Sequence, residues 1–162
     1  EKVRNFSLYD KLNRQKIDSP NLLYMIDHVN RLSLWVATEI LSRNTTAEMA
    51  DLTKYFYVVA HRCLELCNIH TCTAIFGGIC LQPLTRLRRL NRYLADDEQI
   101  QLLHHALSEM VSSNRNYKTY RDFMEQWFNQ STNSLRPCIP FIPVVMKDLF
   151  QIQLNLVTRV RK

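Results

Sequence analysis

The amino-acid sequence predicts an all-α fold, a single globular helical domain of about seven helices. Apolar residues recur at steps of three and four along most of the chain, and no stretch alternates well enough to predict a strand. The 162 residues include only 2 glycines, Gly77 and Gly78, whereas average usage would give about 11. This shortage excludes glycine-rich phosphate loops, dinucleotide-binding turns and β-rich folds with tight hairpins. Hydrophobic residues make up 46% of the chain, enough for the core of one domain.

Capping residues mark the first two helices. Periodic apolar residues predict a helix over residues 21–42, and Ser19 with Pro20 supplies its N-cap and a first-turn proline. A second helix opens with a capping box formed by Thr45 and Glu48, and it ends near Asn68. The apolar faces are Leu22, Met25, Ile26, Val29, Leu32, Val36 and Ile40 in the first helix, and Met49, Leu52, Phe56, Val59, Cys63 and Leu66 in the second.

The middle of the chain is its most apolar part. Residues 71–81 are apolar on nearly all sides, which is typical of a central helix, and the two glycines would let another helix approach closely. Pro83 ends this helix, and a further helix over residues 84–94 carries arginines opposite its leucines. The uncharged run 66–85 is interrupted by polar residues, so we interpret it as buried core rather than a membrane span.

Three more helices are predicted in the last third of the chain. Asp96 and Asp97 can cap a helix that continues to Met110, since acidic groups are favoured at a helix start. Asn116 is a possible cap for a helix over residues 117–127, and a loop follows over residues 129–136. The last short helix is predicted over residues 144–150, because Pro137, Pro140 and Pro143 exclude a regular helix before it.

Charge and cysteine content indicate the cellular setting. The net charge is +6, and one tight basic cluster is formed by Arg86, Arg88, Arg89 and Arg92. A nucleic-acid surface usually has a broader basic stripe interleaved with aromatic residues, so the cluster is interpreted as the solvated side of an amphipathic helix. Five cysteines, an odd number, and the lack of a signal-peptide pattern predict reduced thiols in the cytosol or nucleus.

No constellation of residues predicts a reactive centre. Cys63, Cys67, His70 and Cys72 could offer metal ligands, but Cys63 and Cys67 lie one helical turn apart on an apolar face, so core packing is favoured over zinc. The histidines lack an accompanying nucleophile and oxyanion-forming turn: His61, His104 and His105. We therefore expect no metal, no cofactor and no covalent catalysis, which favours a binding or regulatory module over an enzyme.

Four blocks of residues occur in an order that resembles a known family. They are Ser19-Pro20-Asn21 through Val29-Asn30, Trp35-Val36 and Glu39-Ile40-Leu41; Ala60, Cys63, Leu66, Asn68, Ala74-Ile75, Gly78 and Pro83 through Leu87; Asn116-Tyr117 with Tyr120-Arg121; and Pro137-Cys138-Ile139-Pro140-Phe141 with Asp148-Leu149. Together these blocks resemble the S-P-N…F-N…W-V…E-I-L, A-x-x-C-x-x-L-N-N-F-N…P-V-x-R-L, N-Y…Y-R and P-C-I-P-F…D-L patterns of the catalytic domain of Ras-family guanine-nucleotide exchange factors.

The sequence departs from that family at several places. The family's L-N-N-F-N is Leu66-Cys67-Asn68-Ile69-His70 here, its F-N is Val29-Asn30, and Ile142-Pro143 follows Phe141 where the family has glycine. Residues 154–162 resemble the start of the family's helical hairpin but follow Gln153 directly. We interpret residues 1–162 as one divergent catalytic domain that is incomplete, with segments missing near residues 130 and 153 and at both ends.

The resemblance implies a function that needs no covalent chemistry. Such a domain binds a Ras-family small GTPase of the Ras, Rap or Ral type, opens its nucleotide site and promotes GDP release and GTP loading. It is expected to be cytoplasmic and to act at membrane surfaces through partners or further domains, without inserting into the membrane or binding nucleic acid. The residues implied in GTPase binding are Asp27, Arg31, Cys80, Gln82, Thr85, Tyr117, Asn155 and Arg159.

Alternatives remain at these positions and for the function. Gln82 and Thr85 are favoured as contacts because they are polar and flank a helix break, whereas Tyr117 and Cys80 can equally be packing residues. The altered N-N-F-N segment and the incomplete hairpin are also compatible with an adaptor that keeps the fold and binds a signalling partner without exchange activity. A third hypothesis is a helical protein that binds nucleic acid through the arginine cluster.

Overall fold

A computed structural model describes residues 20–129 and 136–160 of the chain. Within these residues the fold is all-α, as predicted, with eight helices and no strand. One isolated parallel bridge joins Asn68 to Ile139. The helices are α1 (Pro20–Leu41), α2 (Thr46–Glu65), α3 (Ile69–Ile79), α4 (Gln82–Thr85), α5 (Arg88–Ala95), α6 (Glu98–Val111), α7 (Lys118–Asn129) and α8 (Ile142–Val160).

Side-chain caps fix the starts of three helices. The predicted capping box of α2 is confirmed, because Glu48 N donates to Thr45 Oγ1 at 3.2 Å and Thr45 N donates to Glu48 Oε2 at 3.3 Å. Asn68, expected near the end of α2, instead caps α3 by accepting from the Thr71 amide. The predicted cap of α6 is also confirmed at Asp97. Ser19, the predicted cap of α1, lies outside the described residues.

The central helix of the core is α3, which packs against α1 and α2. The prediction of a close approach is confirmed at Gly78, where an added Cβ would lie 2.6 Å from the Ser33 carbonyl oxygen and 2.8 Å from Val36 Cβ. The Ser33 hydroxyl donates to the Ala74 carbonyl at 2.7 Å. Ser33 contacts Ala74, and Val36, three residues further along α1, lies beside Gly78, four residues further along α3. The two helices therefore lie side by side and parallel. The interpretation of the run 66–85 as buried core is confirmed for its central part but is wrong at its ends, where Leu66 is 72% exposed and Gln82, Pro83 and Thr85 are exposed. The buried residues are Cys67, Ile69, His70, Cys72, Ala74, Ile75, Phe76, Gly78, Ile79 and Leu84.

The region after Pro83 differs from the prediction of one helix over residues 84–94. Pro83 lies in the first turn of α4, which ends after four residues, and α5 begins at Arg88. Leu84 and Leu90 are both buried, yet on a continuous helix they would point about 120° apart. Splitting the segment into two short helices turns both leucines into the core.

Two predictions in the last third of the chain are wrong. Asn116 does not occupy the cap position of α7, because the helix begins two residues later and Asn116 has a left-handed backbone with φ of 59°. Its side-chain oxygen instead accepts a hydrogen bond from Lys147 Nζ at 2.8 Å. The short helix predicted over residues 144–150 is part of the much longer α8, whose Pro143 lies in the first turn, where a missing amide is tolerated.

None of the helices described, over residues 20–129 and 136–160, is both long and apolar enough to cross a membrane. The segment near residue 130, where chain was expected to be missing, falls at 130–135 and outside the described residues.

Candidate functional site

The implied contact residues of α1 lie on an exposed surface. Asp27 and Arg31 are one helical turn apart and form an ion pair with a separation of 2.7 Å between Oδ2 and a guanidinium nitrogen. Their side chains are 52% and 76% exposed, so solvent screening leaves this pair little energetic value for the fold. Both side chains are therefore available to a partner.

The second group of implied residues surrounds the junction of α3 and α4. Cys80, Gln82 and Thr85 are all exposed residues. Burial by neighbouring atoms raises the pKa of the Cys80 thiol. The Asn91 side-chain amide donates to the Thr85 carbonyl at 2.8 Å and ties the end of α4 to α5. The junction is thus a fixed, polar corner of the surface.

The structure places these two groups toward opposite ends of the α1–α3 pair. Because the two helices are parallel, Asp27 and Arg31 lie toward the start of α3, whereas Cys80 and Gln82 lie beyond its end. From Asp27 to Val36, the residue that meets Gly78, the rise along α1 is about 14 Å. A partner that contacts both groups must therefore cover a surface of ordinary protein–protein size rather than a pocket.

Arg121 and Asp148 form an ion pair that joins α7 to α8. The two guanidinium nitrogens lie 2.8 and 2.7 Å from the two carboxylate oxygens, which is a bidentate geometry. The hydrogen bond from Arg121, with its positive charge, lowers the pKa of the Asp148 carboxyl. Arg121 Nε also donates to the Asn116 carbonyl at 2.8 Å, so one side chain joins the turn before α7, α7 itself and α8.

Aromatic packing extends this joint toward the start of α8. Tyr117 is half-buried and meets the Phe141 ring edge-on at 6.1 Å, and the Lys147 ammonium lies 5.4 Å from the centre of the Tyr117 ring. The Tyr120 hydroxyl accepts a hydrogen bond from the Phe141 amide at 3.3 Å. Tyr117 is thus a packing residue of this joint, whatever further contacts it makes. We call the seven residues the α8 anchor: Asn116, Tyr117, Tyr120, Arg121, Phe141, Lys147 and Asp148.

Beyond the anchor, the described side chains of α8 from Leu149 to Gln153 are exposed. Leu149, Phe150 and Ile152 are 56%, 36% and 56% exposed, and Asn155 is exposed as well. Exposed apolar residues grouped on one helix are typical of an interaction surface. Arg159 lies in the last turns of α8, and its side chain is outside the part described.

Sequence reasoning did not single out the ion pair of the α8 anchor. Its two members, Arg121 and Asp148, are 27 residues apart and lie in the blocks that resemble N-Y…Y-R and P-C-I-P-F…D-L. The co-occurrence of these blocks was the available signal, but spacing alone could not show that the arginine of one block binds the aspartate of the other.

The cysteines and histidines that were considered for metal binding or catalysis have packing contacts. Cys72 is fully buried, and burial raises the pKa of its thiol to about 12. His70 is only 7% exposed, and burial lowers its pKa. His104 Nδ1 lies 2.8 Å from the Tyr57 hydroxyl. Among the described side chains, no three of His, Cys, Asp or Glu are grouped so that they could hold a metal ion.

The four arginines are solvated, as predicted, but only Arg88, Arg89 and Arg92 lie on one helix, α5, whereas Arg86 follows the end of α4. All four arginines are exposed, and Leu90 between them is 1% exposed. In the described part of the chain, no ion pair involves any of the four. The cluster begins at Arg86, directly after Thr85, so it extends the polar corner at α4 with positive charge.

Comparison with known proteins adds an independent finding. Residues 1–161 match the family model of the RasGEF domain. The chain is 33% identical over 144 residues to Ras guanine nucleotide exchange factor Y of Dictyostelium discoideum, covering 89% of the chain and 9% of that protein. It is 32% identical over 132 residues to RAS guanyl-releasing protein 1 of Xenopus laevis, covering 82% of the chain and 16% of that protein. The chain therefore spans a small part of the length of these relatives.

Proposed function

Since the chain belongs to the RasGEF domain family, we propose that it is a guanine-nucleotide exchange factor that binds a Ras-family small GTPase and promotes release of its GDP. The observation that carries the proposal is the family match over residues 1–161, together with relatives that are named as Ras guanine nucleotide exchange factors. The substrate is proposed to be a GTPase of the Ras, Rap or Ral type.

The proposed activity follows from linkage rather than from bond chemistry. If the chain binds the nucleotide-free GTPase more tightly than the loaded one, nucleotide affinity must fall by the same factor when the chain is bound. Cellular GTP then refills the emptied site. Such a protein needs a preorganised surface but no cofactor and no general base.

Three exposed features support a GTPase-binding surface. They are the Asp27–Arg31 pair on α1, the polar corner formed by Cys80, Gln82 and Thr85, and the exposed residues of α8 that include Ile152 and Asn155. We propose Arg159, in the last turns of the same helix, as a further contact. The α8 anchor supports this arrangement, because it fixes α8 to α7 through charged and aromatic contacts. We propose that α8 is held out from the domain so that it can act on the bound GTPase.

The test is release of a fluorescent GDP analogue from Ras, Rap, Ral and Rho-type GTPases with and without the chain. A matched pair of variants tests the site. Changing Gln82 and Thr85 together to glutamate should abolish GTPase binding, because acidic groups replace neutral ones at the polar corner. The double change Gln99→Glu with Gln126→Glu adds the same charge at exposed positions away from the polar corner and should leave binding unchanged. Unchanged affinity in the Gln82/Thr85 variant would refute the placement.

A second candidate is an adaptor that binds the GTPase without exchanging its nucleotide. The observation that favours it is the altered N-N-F-N segment, where Cys67, Ile69 and His70 are all buried. These replacements therefore change the interior beneath the start of α3 rather than the surface. An adaptor would bind the GTPase in a pull-down assay yet leave the rate of GDP release unaltered.

The proposal also concerns the cellular location of the chain. We propose that it acts in the cytoplasm at membrane surfaces, brought there by its partner or by domains outside these residues.

We also keep the proposal that a segment of the chain is missing near residue 153, although α8 runs through Gln153 and Leu154 in the structure. Sequencing the natural transcript across these two residues decides it, since an uninterrupted reading frame would contradict the proposal.

A further inference from the structure

Two cysteines that are distant in sequence meet at the base of α8. Cys67 lies in the turn between α2 and α3, and Cys138 lies in the segment that leads into α8. Their sulfur atoms are 3.0 Å apart, although 71 residues separate them along the chain. Both are free thiols in the structure. They are thus neighbours before any bond forms between them.

The backbone around the pair is arranged side by side. The Ile139 amide donates to the Cys67 carbonyl at 2.9 Å, and the Ile69 amide donates to the Ile139 carbonyl at 2.9 Å. These bonds form the parallel bridge between Asn68 and Ile139, and each cysteine lies one residue before a bridged residue. Neighbouring strands are about 4.8 Å apart, which falls within the Cα separations that disulfides span. A sulfur–sulfur bond of about 2.05 Å therefore requires a shift of roughly 1 Å.

The two thiols differ in their access to solvent. Cys67 is fully buried, and burial, followed by its hydrogen bond to Cys138, raises the pKa of the Cys67 thiol to about 12. Cys138 is partly exposed and lines an open cleft of about 520 Å³ between α7 and α8, beside Met124 and Val144. A small oxidant can reach Cys138 from this cleft, whereas it cannot reach Cys67 directly.

We propose that Cys67 and Cys138 are a reversible disulfide site, with Cys138 as the thiol that reacts with hydrogen peroxide and Cys67 as the thiol that resolves it. The Cys138 thiolate attacks one peroxide oxygen; a sulfur–oxygen bond forms, the oxygen–oxygen bond breaks, and water leaves after proton transfer. The Cys67 sulfur, giving up its proton, then attacks the Cys138 sulfur, and a second water leaves. In total two thiols lose two electrons and two protons, and one peroxide is reduced to two waters.

The Cys67–Cys138 disulfide would link the segment leading into α8 covalently to the turn between α2 and α3. It closes a loop of 71 residues, and long loops lose the most chain entropy in the unfolded state when they are cross-linked. The oxidised chain should therefore melt at a higher temperature than the reduced chain, by roughly 5 °C or more. An excess of dithiothreitol should reverse both the bond and the shift.

The experiment treats the reduced, purified chain with hydrogen peroxide, blocks remaining thiols with N-ethylmaleimide and digests it with trypsin without reductant. Trypsin leaves four cysteines between Arg62 and Arg86 in one peptide, so variants rather than the digest must identify the bonded sulfur. A peptide cross-linked to the Cys138 peptide is expected in the wild type and in the control Cys63→Ser. The cross-link is expected to be lost in Cys67→Ser and in Cys138→Ser.

A second readout keeps the proposal testable if Cys67→Ser unfolds, since that residue is buried. In the wild type, dimedone should trap a sulfenic acid on Cys138 only transiently, and in folded Cys67→Ser the adduct should accumulate. Helical circular dichroism identifies an unfolded variant, in which case Cys138→Ser alone must abolish the cross-link and the thermal shift. A cross-link that survives in Cys138→Ser would overturn the proposal, as would a wild type that forms only dimers between chains or no bond at all.

Discussion

The ion pair between Arg121 and Asp148 should be worth about 1 kcal/mol to the fold. The pair is bidentate, with separations of 2.8 and 2.7 Å, but its side chains are 36% and 41% exposed, so solvent screens it. Exposed pairs contribute about 0–1 kcal/mol, and bidentate geometry places this one at the upper end. The perturbation is Arg121→Ala, Asp148→Ala and the double change, whose coupling energy isolates the pair. For a chain of this size, about 1 kcal/mol lowers the melting temperature by roughly 2–4 °C.

The same perturbation should affect exchange more than binding. A loss of about 1 kcal/mol lowers the population of anchored α8 relative to detached α8 by about fivefold. The rate of GDP release should therefore fall by up to about fivefold, whereas contacts at the polar corner around Gln82 and Thr85 still hold the GTPase. Denaturant unfolding measures the coupling energy, and release of fluorescent GDP measures the rate. Additive single changes, with no coupling energy, would refute the reasoning, as would normal release from a variant in which the coupling has been lost.

Three further predictions follow from the packing and the charges. Gly78→Ala should destabilise the chain by about 1–3 kcal/mol in denaturant unfolding, because the added Cβ would lie 2.6 Å from the Ser33 carbonyl oxygen. Gly77→Ala should instead stabilise the helix, because a Cβ there has only an ordinary contact with Ser33 Oγ at 3.6 Å. Thr45→Ala should cost about 1 kcal/mol in the same assay by removing a cap of α2, and an unchanged stability would contradict the capping role. The pKa of Asp148 in the folded chain is below its ordinary value. The stability that the ionised Asp148 adds to the fold is therefore complete above about pH 4, and it is lost as the pH falls through the folded-state pKa. Measured against pH, the unfolding free energy of Asp148→Ala should lack this decrease.

Local signals predicted two helix starts at which a single side chain decides the boundary, but they missed the cap at Asn68 and wrongly indicated one at Asn116. The capping box at Thr45 and the cap at Asp97 need only neighbouring residues, and the two adjacent glycines indicated the close approach to α1 that occurs at Gly78. The break after Thr85 was missed, because it depends on where Leu84 and Leu90 meet the core. Periodicity within the segment does not contain that information.

The candidate site was predictable only as separate pieces. Exposure of Gln82 and Thr85 followed from their polar character beside Pro83. The role of Asn116 did not follow, because its partner Lys147 is 31 residues away and the left-handed backbone at Asn116 is unusual for a residue other than glycine. Contacts between distant segments, such as the α8 anchor, depend on tertiary packing that no local pattern encodes.

The most direct test of the central claim is nucleotide release at substoichiometric amounts of the chain. A Ras-family GTPase loaded with fluorescent GDP is mixed with excess unlabelled GTP and a small fraction of the chain, and the loss of fluorescence is followed over time. We expect every GTPase molecule to release its GDP faster than without the chain, because one exchange factor serves many GTPases in turn. A GTPase that binds the chain yet releases GDP at its intrinsic rate would contradict it.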